Sequence, residues 1–156
     1  MNSKYGKTRK MLQRKNRTMK TMKTMKKIQK HNRNSRIVQK FMELLVMIKL
    51  YHWKTHSYAQ HKATDHLYDD LNEKIDRFVE VLLGKSKYRV NMLEKKMHLY
   101  DLDTKQELRE HIFEYRDFLV NMNQIFSEKR DSDLFSIRDD ILADLNQFLY
   151  LLTFDK

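Results

Sequence analysis

Four histidines crowd the stretch 52–66, at His52, His56, His61 and His66, and carboxylates run through and beyond it at Asp65, Asp69, Asp70, Glu73, Asp76 and Glu80. Imidazole nitrogen with carboxylate oxygen suits iron, zinc and manganese alike. On a helix turning by about 100° per residue, with His61 as zero, Asp65 falls at about 40°, Asp76 at about 60° and Glu80 at about 100°. These four side chains form two i, i+4 pairs on one stripe. Leu67, Leu71, Ile75, Phe78 and Leu82 fall between about 240° and 320°, so the stripe lies well off the apolar arc. His52 follows Ile48 by one turn, near the core edge of the preceding helix. A site built from this stripe sits at the flank of a bundle, where another subunit can meet it. The same residues also have an ordinary reading. Acidic i, i+4 neighbours are common on a wet helix face, and a histidine beside Trp53 is most often a packing residue.

The elements that must position these side chains are helices. The chain has 156 residues, no proline, no cysteine and two glycines, Gly6 and Gly84. Strands and hairpins need more punctuation than that, whereas helix interiors need none. Without cysteine there are no disulfides, thiolate metal sites or thiol nucleophiles. No apolar run approaches the roughly 18–20 residues of a membrane span, and the basic start lacks the apolar core of a secretory signal.

Ile37, Phe41, Leu44, Leu45, Ile48 and Tyr51 predict a first helix over about 36–55. After a break near 55–60, a second helix runs over about 61–83, with Gly84 placed to cap it. Residues 85–103 form a long connection, with a short helix at 88–98 carrying Val90, Leu93 and Met97. Thr104 and Glu107 make a capping box for a third helix, about 105–129, whose inner face is Leu108, Ile112, Tyr115, Leu119, Met122 and Phe126. A fourth starts at Ser132 or Asp133 and runs to about 153, with Ile137, Ile141, Leu145, Phe148 and Leu152 inside. Four such helices with one long crossover between the second and third describe an all-α, ferritin-like four-helix bundle. Glu-x-x-His, the pair used inside di-iron bundles, is absent from the sequence, which argues against an interior centre.

Charge divides the chain. Residues 1–40 carry 15 cations and no acid, whereas 41–156 carry 17 basic and 21 acidic side chains, within a total of +11. Residues 1–34 read as a disordered basic tail and 35–156 as the bundle. The tail holds Lys4, Lys7, Arg9, Lys10, Arg14, Lys15, Arg17, Lys20, Lys23, Lys26, Lys27, Lys30 and Arg33, and includes the repetitive TMKTMKTMKK. So dense a set of cations calls for an anionic partner, DNA or RNA, held through phosphates without sequence preference. Tyr5 is the tail's only aromatic residue, so base stacking adds little. A nuclear-import signal or a solubility tail is the bland alternative. A mitochondrial transit peptide is usually richer in arginine and serine than this lysine-dominated segment.

Tyr51-His52-Trp53, then His61, then Asp65-x-x-Tyr68-x-x-Leu71-Asn72-x-x-Ile75-Asp76-x-x-x-Glu80 resembles the Dps family of DNA-protection proteins, or miniferritins. The resemblance spans about 37–154 but is specific only in 51–80. It implies that His52, His61 and Asp65 of one subunit face Asp76 and Glu80 of a two-fold partner and bind iron between them, with Trp53 packed nearby. One departure is clear. The family's two histidines are usually twelve positions apart with a Gly-Pro-x-Phe turn between, whereas here they are nine apart and the turn is missing. His56 is a substitute ligand if His52 has moved. Asp133, Asp139 and Asp140 resemble the region lining the pores through which the family's iron passes.

The resemblance further implies a dodecameric homo-oligomer that oxidises Fe²⁺ with peroxide or oxygen, stores the product, and protects DNA under oxidative stress. Its location would be intracellular and nucleic-acid-associated, with no membrane partner. The chain is also similar to uncharacterised proteins of large DNA viruses of protists. That kinship allows the alternative of a catalytically inactive architectural bundle that condenses nucleic acid, for example in a virion.

Overall fold

The computed structural model describes residues 3–86, 89–90, 92 and 96–154, with side chains from Met19 onward except those of Lys23, Lys27 and His31. Four α-helices follow in order: α1 (Ser3–Lys54), α2 (Tyr58–Gly84), α3 (Lys105–Val120) and α4 (Ser132–Leu151), with a 3-10 turn at Asn121–Gln124. Among the described residues there is no strand.

The connections establish the topology. Lys54, at the end of α1, pairs with Asp101 and Asp103, just before α3 begins. Arg33, two turns before Phe41, donates to the carbonyl of Ile125, just after α3 ends. So α3 runs antiparallel to α1. Lys85, at the end of α2, pairs with Asp131 and Asp133 at the start of α4, and Lys74 reaches Asp144, so α2 and α4 are antiparallel. The segment from Lys85 to Thr104 therefore climbs the whole bundle. On the way its Lys96 carbonyl accepts from Gln39, and its His98 N–H donates to Glu43. This is the ferritin-like arrangement, with one crossover lying along α1.

The helices meet on the apolar faces laid out by the sequence. Phe41, Phe78 and Phe118 interlock edge to face, with centroids 5.2 and 5.9 Å from Phe41, and Leu71, Leu108, Ile112, Ile141 and Leu145 are fully buried around them. Each such side chain contributes about 1.5–3 kcal/mol on burial, which is where the bundle finds its stability.

Several boundaries differ from those the sequence predicts. α1 does not begin near 36 but continues unbroken from Ser3. Lysine, methionine, arginine and glutamine are all good helix formers, and nothing between Gly6 and Lys54 breaks the helix. What separates arm from body is burial: every described side chain from Met19 to Lys30 is exposed, and Asn34 and Ser35 are the first to be buried. α2 starts at Tyr58, earlier than 61, because Ser57 caps it by accepting from the Gln60 N–H. Gly84 is its last helical residue rather than a left-handed cap. No glycine among the described residues has positive φ, and Lys85 caps in right-handed geometry. Of the short helix expected at 88–98, residues 89, 90, 92 and 96–98 are non-helical, and the rest, Leu93 included, lie outside the described residues.

α3 ends at Val120 rather than 129. The capping box of Thr104 and Glu107 starts it as expected. Its end is governed from outside: Arg138 of α4 donates to the Leu119 carbonyl and to Asn123 Oδ1, while Arg33 takes the Ile125 carbonyl. With the Leu119 carbonyl taken by Arg138, the chain tightens into a 3-10 turn that still buries Met122, and Arg33 holds the Ile125 carbonyl just beyond it.

Candidate metal centre

The corner between α1 and α2 is only three residues long, 55–57. It is pinned by Gln60, buried in the first turn of α2, whose side-chain oxygen accepts from Tyr51 at 2.5 Å and from Thr55 at 3.0 Å. The short corner therefore does not unwind α2. It seats His61 in the first turn and brings it directly beside His52.

The two imidazoles stack with centroids 3.9 Å apart and planes 25° from parallel. His52 Nδ1 lies 3.0 Å from the carbonyl of His61, and His61 Nδ1 lies 3.1 Å from the carbonyl of His52. A carbonyl can only accept, so each Nδ1 carries the proton and donates. Thr64 agrees with this: its hydroxyl donates to the Gln60 carbonyl at 2.8 Å and so can accept from His52 Nδ1 at 3.2 Å. In the neutral form of each ring the lone pair then sits on Nε2. A neutral imidazole anchored through Nδ1–H to a carbonyl, with Nε2 free, is the usual state of a metal-ligating histidine.

Asp65, one turn along α2 from His61, places Oδ1 3.8 Å from His52 Nε2. Asp65 thus lies beside His52 of the stacked pair, with His52 buried and His61 and Asp65 half-buried. Two cations compete for the carboxylate. Lys49 Nζ lies 3.8 Å from Asp65 Oδ1 and rests 4.7 Å above the Tyr68 ring, while Lys62 Nζ is 4.0 Å from Oδ2. Lys49 sits one turn before His52, a spacing that could have singled it out in the sequence; Thr64 and Gln60 carried no such signal.

Asp76 and Glu80 are exposed on α2. At 1.5 Å per residue they lie about 16 and 22 Å along the helix from Asp65, too far to share an ion with it within one chain. Among the described residues no three His, Asp or Glu side chains of one chain, His52, His61 and Asp65 included, are grouped closely enough to hold a metal ion. His56 is exposed in the corner. Trp53 does not pack beside the site: it is 68 % exposed, on the outer side of α1, and Tyr58 across the corner is 78 % exposed.

The acidic set on α4 is largely engaged within the chain. Asp133 pairs with Lys85, Asp139 with Arg138, and Asp140 is exposed. In the arm, Lys20, Lys26 and Lys30 are exposed, while Arg33 is held by the body, donating to Ile125 and to Asn34 with its guanidinium 4.9 Å from the Phe126 ring. The side chains of the other arm cations lie outside those described.

Residues 52–152 match a family of unknown function, DUF5856. The chain belongs to that family. The matched region opens at His52, takes in His61, Asp65, Asp76 and Glu80, and leaves out the basic arm and most of α1. Neither the curated proteins nor the solved structures contain a match. Among the described residues no helix of this DUF5856 member is long and apolar enough to cross a membrane.

Proposed function

We propose that this protein is a Dps-like iron-binding oligomer in which two chains share each site. His52, His61 and Asp65 come from one chain, and Asp76 and Glu80 from the other. The observation that carries the reading is the reciprocal anchoring of His52 and His61 through Nδ1, which leaves Nε2 as the ligating atom of each neutral ring, that of His52 3.8 Å from Asp65. Exposed carboxylates at Asp76 and Glu80 leave the second half of the ligand set available at the surface. A two-fold packing of α2 against α2 would bring the halves together, with exposed Trp53 and Tyr58 as apolar area for the contact.

Fe²⁺ is the substrate of this site. Two ions held together by carboxylates can each give one electron to a peroxide, which with two protons leaves as two waters and releases no hydroxyl radical. The chain's own contribution is to fix the histidine tautomers, to supply negative charge and to hold the ions close. Lys49 and Lys62 must give up Asp65 when iron arrives, and their exposed or half-exposed ammonium groups can turn to solvent. The arm, residues 1–34, adds nucleic-acid binding by phosphate neutralisation, and its display on every subunit of an oligomer multiplies the affinity. Such a shell would store the oxidised iron and shield the bound DNA.

The hold of Lys49 on Asp65 favours one rival: an architectural bundle that condenses nucleic acid without iron chemistry. Iron decides between them. Aerobic or peroxide-driven Fe²⁺ oxidation, followed in the near ultraviolet, is expected to be faster with the protein than without it. The Asp76→Ala/Glu80→Ala variant should lose that acceleration with its helical circular dichroism intact, because both residues lie off the core. Oxidation no faster than in buffer would establish the architectural reading.

A further inference from the structure

We propose a second binding site, for a small organic anion carrying one acidic group on a flat apolar body, in the cavity between the root of the arm, the crossover and the end of α3. The cavity has a volume of about 700 Å³, within the range of small-molecule sites. Three cations, Arg33, Arg36 and Lys40, reach it from successive turns of α1, against one carboxylate, Glu43. Two of the cations are committed: Arg33 to the Ile125 carbonyl, and Lys40 to Glu43 at 3.4 Å and the Tyr100 hydroxyl at 3.5 Å. Arg36 is exposed and has no hydrogen-bond or ion-pair partner among the described residues. Its planar guanidinium is suited to a carboxylate, sulfonate or phosphate oxygen pair.

The apolar part of the lining is Ile37 of α1 with Phe118 and Ile125. A bare inorganic anion would leave these side chains wet, whereas a flat ring system would cover them while its acidic group stayed on Arg36. The polar floor is built before any ligand arrives. The Glu43 side chain is 5 % exposed, accepting from Gln39 at 3.0 Å and from the His98 N–H at 3.2 Å. Tyr100 is wedged between the rings of His98 and His111, at 4.5 and 4.4 Å. The buried, fully engaged Glu43 carboxylate fixes the crossover at His98 to α1, so this side of the cavity is set.

The test uses the full-length chain and 8-anilinonaphthalene-1-sulfonate, an aromatic sulfonate of the proposed shape. One molecule is expected to bind per chain with blue-shifted emission. Arg36→Glu should weaken binding at least tenfold and Arg36→Gln several-fold, with helical circular dichroism unchanged. The exposed Lys129→Glu, remote in sequence and absent from the cavity wall, controls for surface charge and should leave the affinity as it was. Naphthalene-1-sulfonate should displace the dye, while sulfate at equal concentration should not. Equal affinity in Arg36→Glu, an equal loss in Lys129→Glu, or displacement by sulfate as effective as by the naphthalene compound would each overturn the proposal.

Discussion

His52 and His61 hold each other by exchange: each ring donates from Nδ1 to the other residue's backbone carbonyl, at 3.0 and 3.1 Å, across a corner of three residues. The arrangement is structural before it is chemical. His52 is 6 % exposed, and its removal would take one donor from the His61 carbonyl, which keeps the Thr64 hydroxyl, and would empty a buried position. His52→Ala is therefore expected to cost about 1–3 kcal/mol in urea denaturation, and His61→Ala, on a half-exposed ring, less. Equal and negligible losses would show that the pair does not brace the corner.

Glu43 fastens the crossover to α1. Burial works against its charged form, but the His98 N–H, the Gln39 amide and the Lys40 ammonium outweigh burial and hold its pKa below the ordinary 4.5. A carboxyl depressed on folding contributes stability that is present above pH 4.5 and is lost as pH falls through the lower folded value. The wild-type protein should thus be more stable than Glu43→Gln near neutral pH, and the difference should shrink as acid protonates the carboxyl. Parallel pH profiles of thermal denaturation for the two proteins would contradict the assignment.

The fold was legible where a residue's neighbours along the chain decide its conformation. Apolar spacing placed all four helices, and Thr104 with Glu107 marked the start of α3 to the residue. It was not legible where a distant side chain decides. Met122 and Phe126 continue the helical spacing of α3, yet Arg138 claims the Leu119 carbonyl at its end and Arg33 the Ile125 carbonyl beyond the turn. The charge run marked the arm as distinct from the body, and burial draws the same line, with the described side chains exposed through Lys30 and first buried at Asn34. At the candidate site the neighbourhood of His52, His61 and Asp65 was readable from residue type and i, i+4 spacing. The tautomer-fixing exchange was not, since it depends on a corner whose shortness looked like a defect. Nor was the outward turn of Trp53.

The arm gives a separate prediction. Deleting residues 1–28 removes eleven cations and no acid, taking the formal charge from +11 to 0, and it spares Arg33 and Asn34, which the body uses. The shortened protein should keep its helical signal per residue in the body and its iron oxidation, yet fail to retard duplex DNA at moderate salt. Full-length protein should bind duplexes of unrelated sequence alike, with an affinity that falls steeply as salt rises, because each phosphate contact releases condensed counterions. Retention of DNA binding by the shortened protein would assign the arm another role.

The sharing of one iron site by two chains is tested most directly by mixing subunits. One parent carries His52→Ala and His61→Ala, the other Asp76→Ala and Glu80→Ala, and each alone should oxidise Fe²⁺ no faster than buffer. After co-assembly, a fraction of the interfaces pairs a chain with intact Asp76 and Glu80 with a chain with intact His52, His61 and Asp65. The mixture should therefore recover part of the wild-type rate. If co-assembled subunits, shown to be mixed by a tag on one parent, stay as inactive as either parent, the ligands do not meet across an interface and the shared site is wrong.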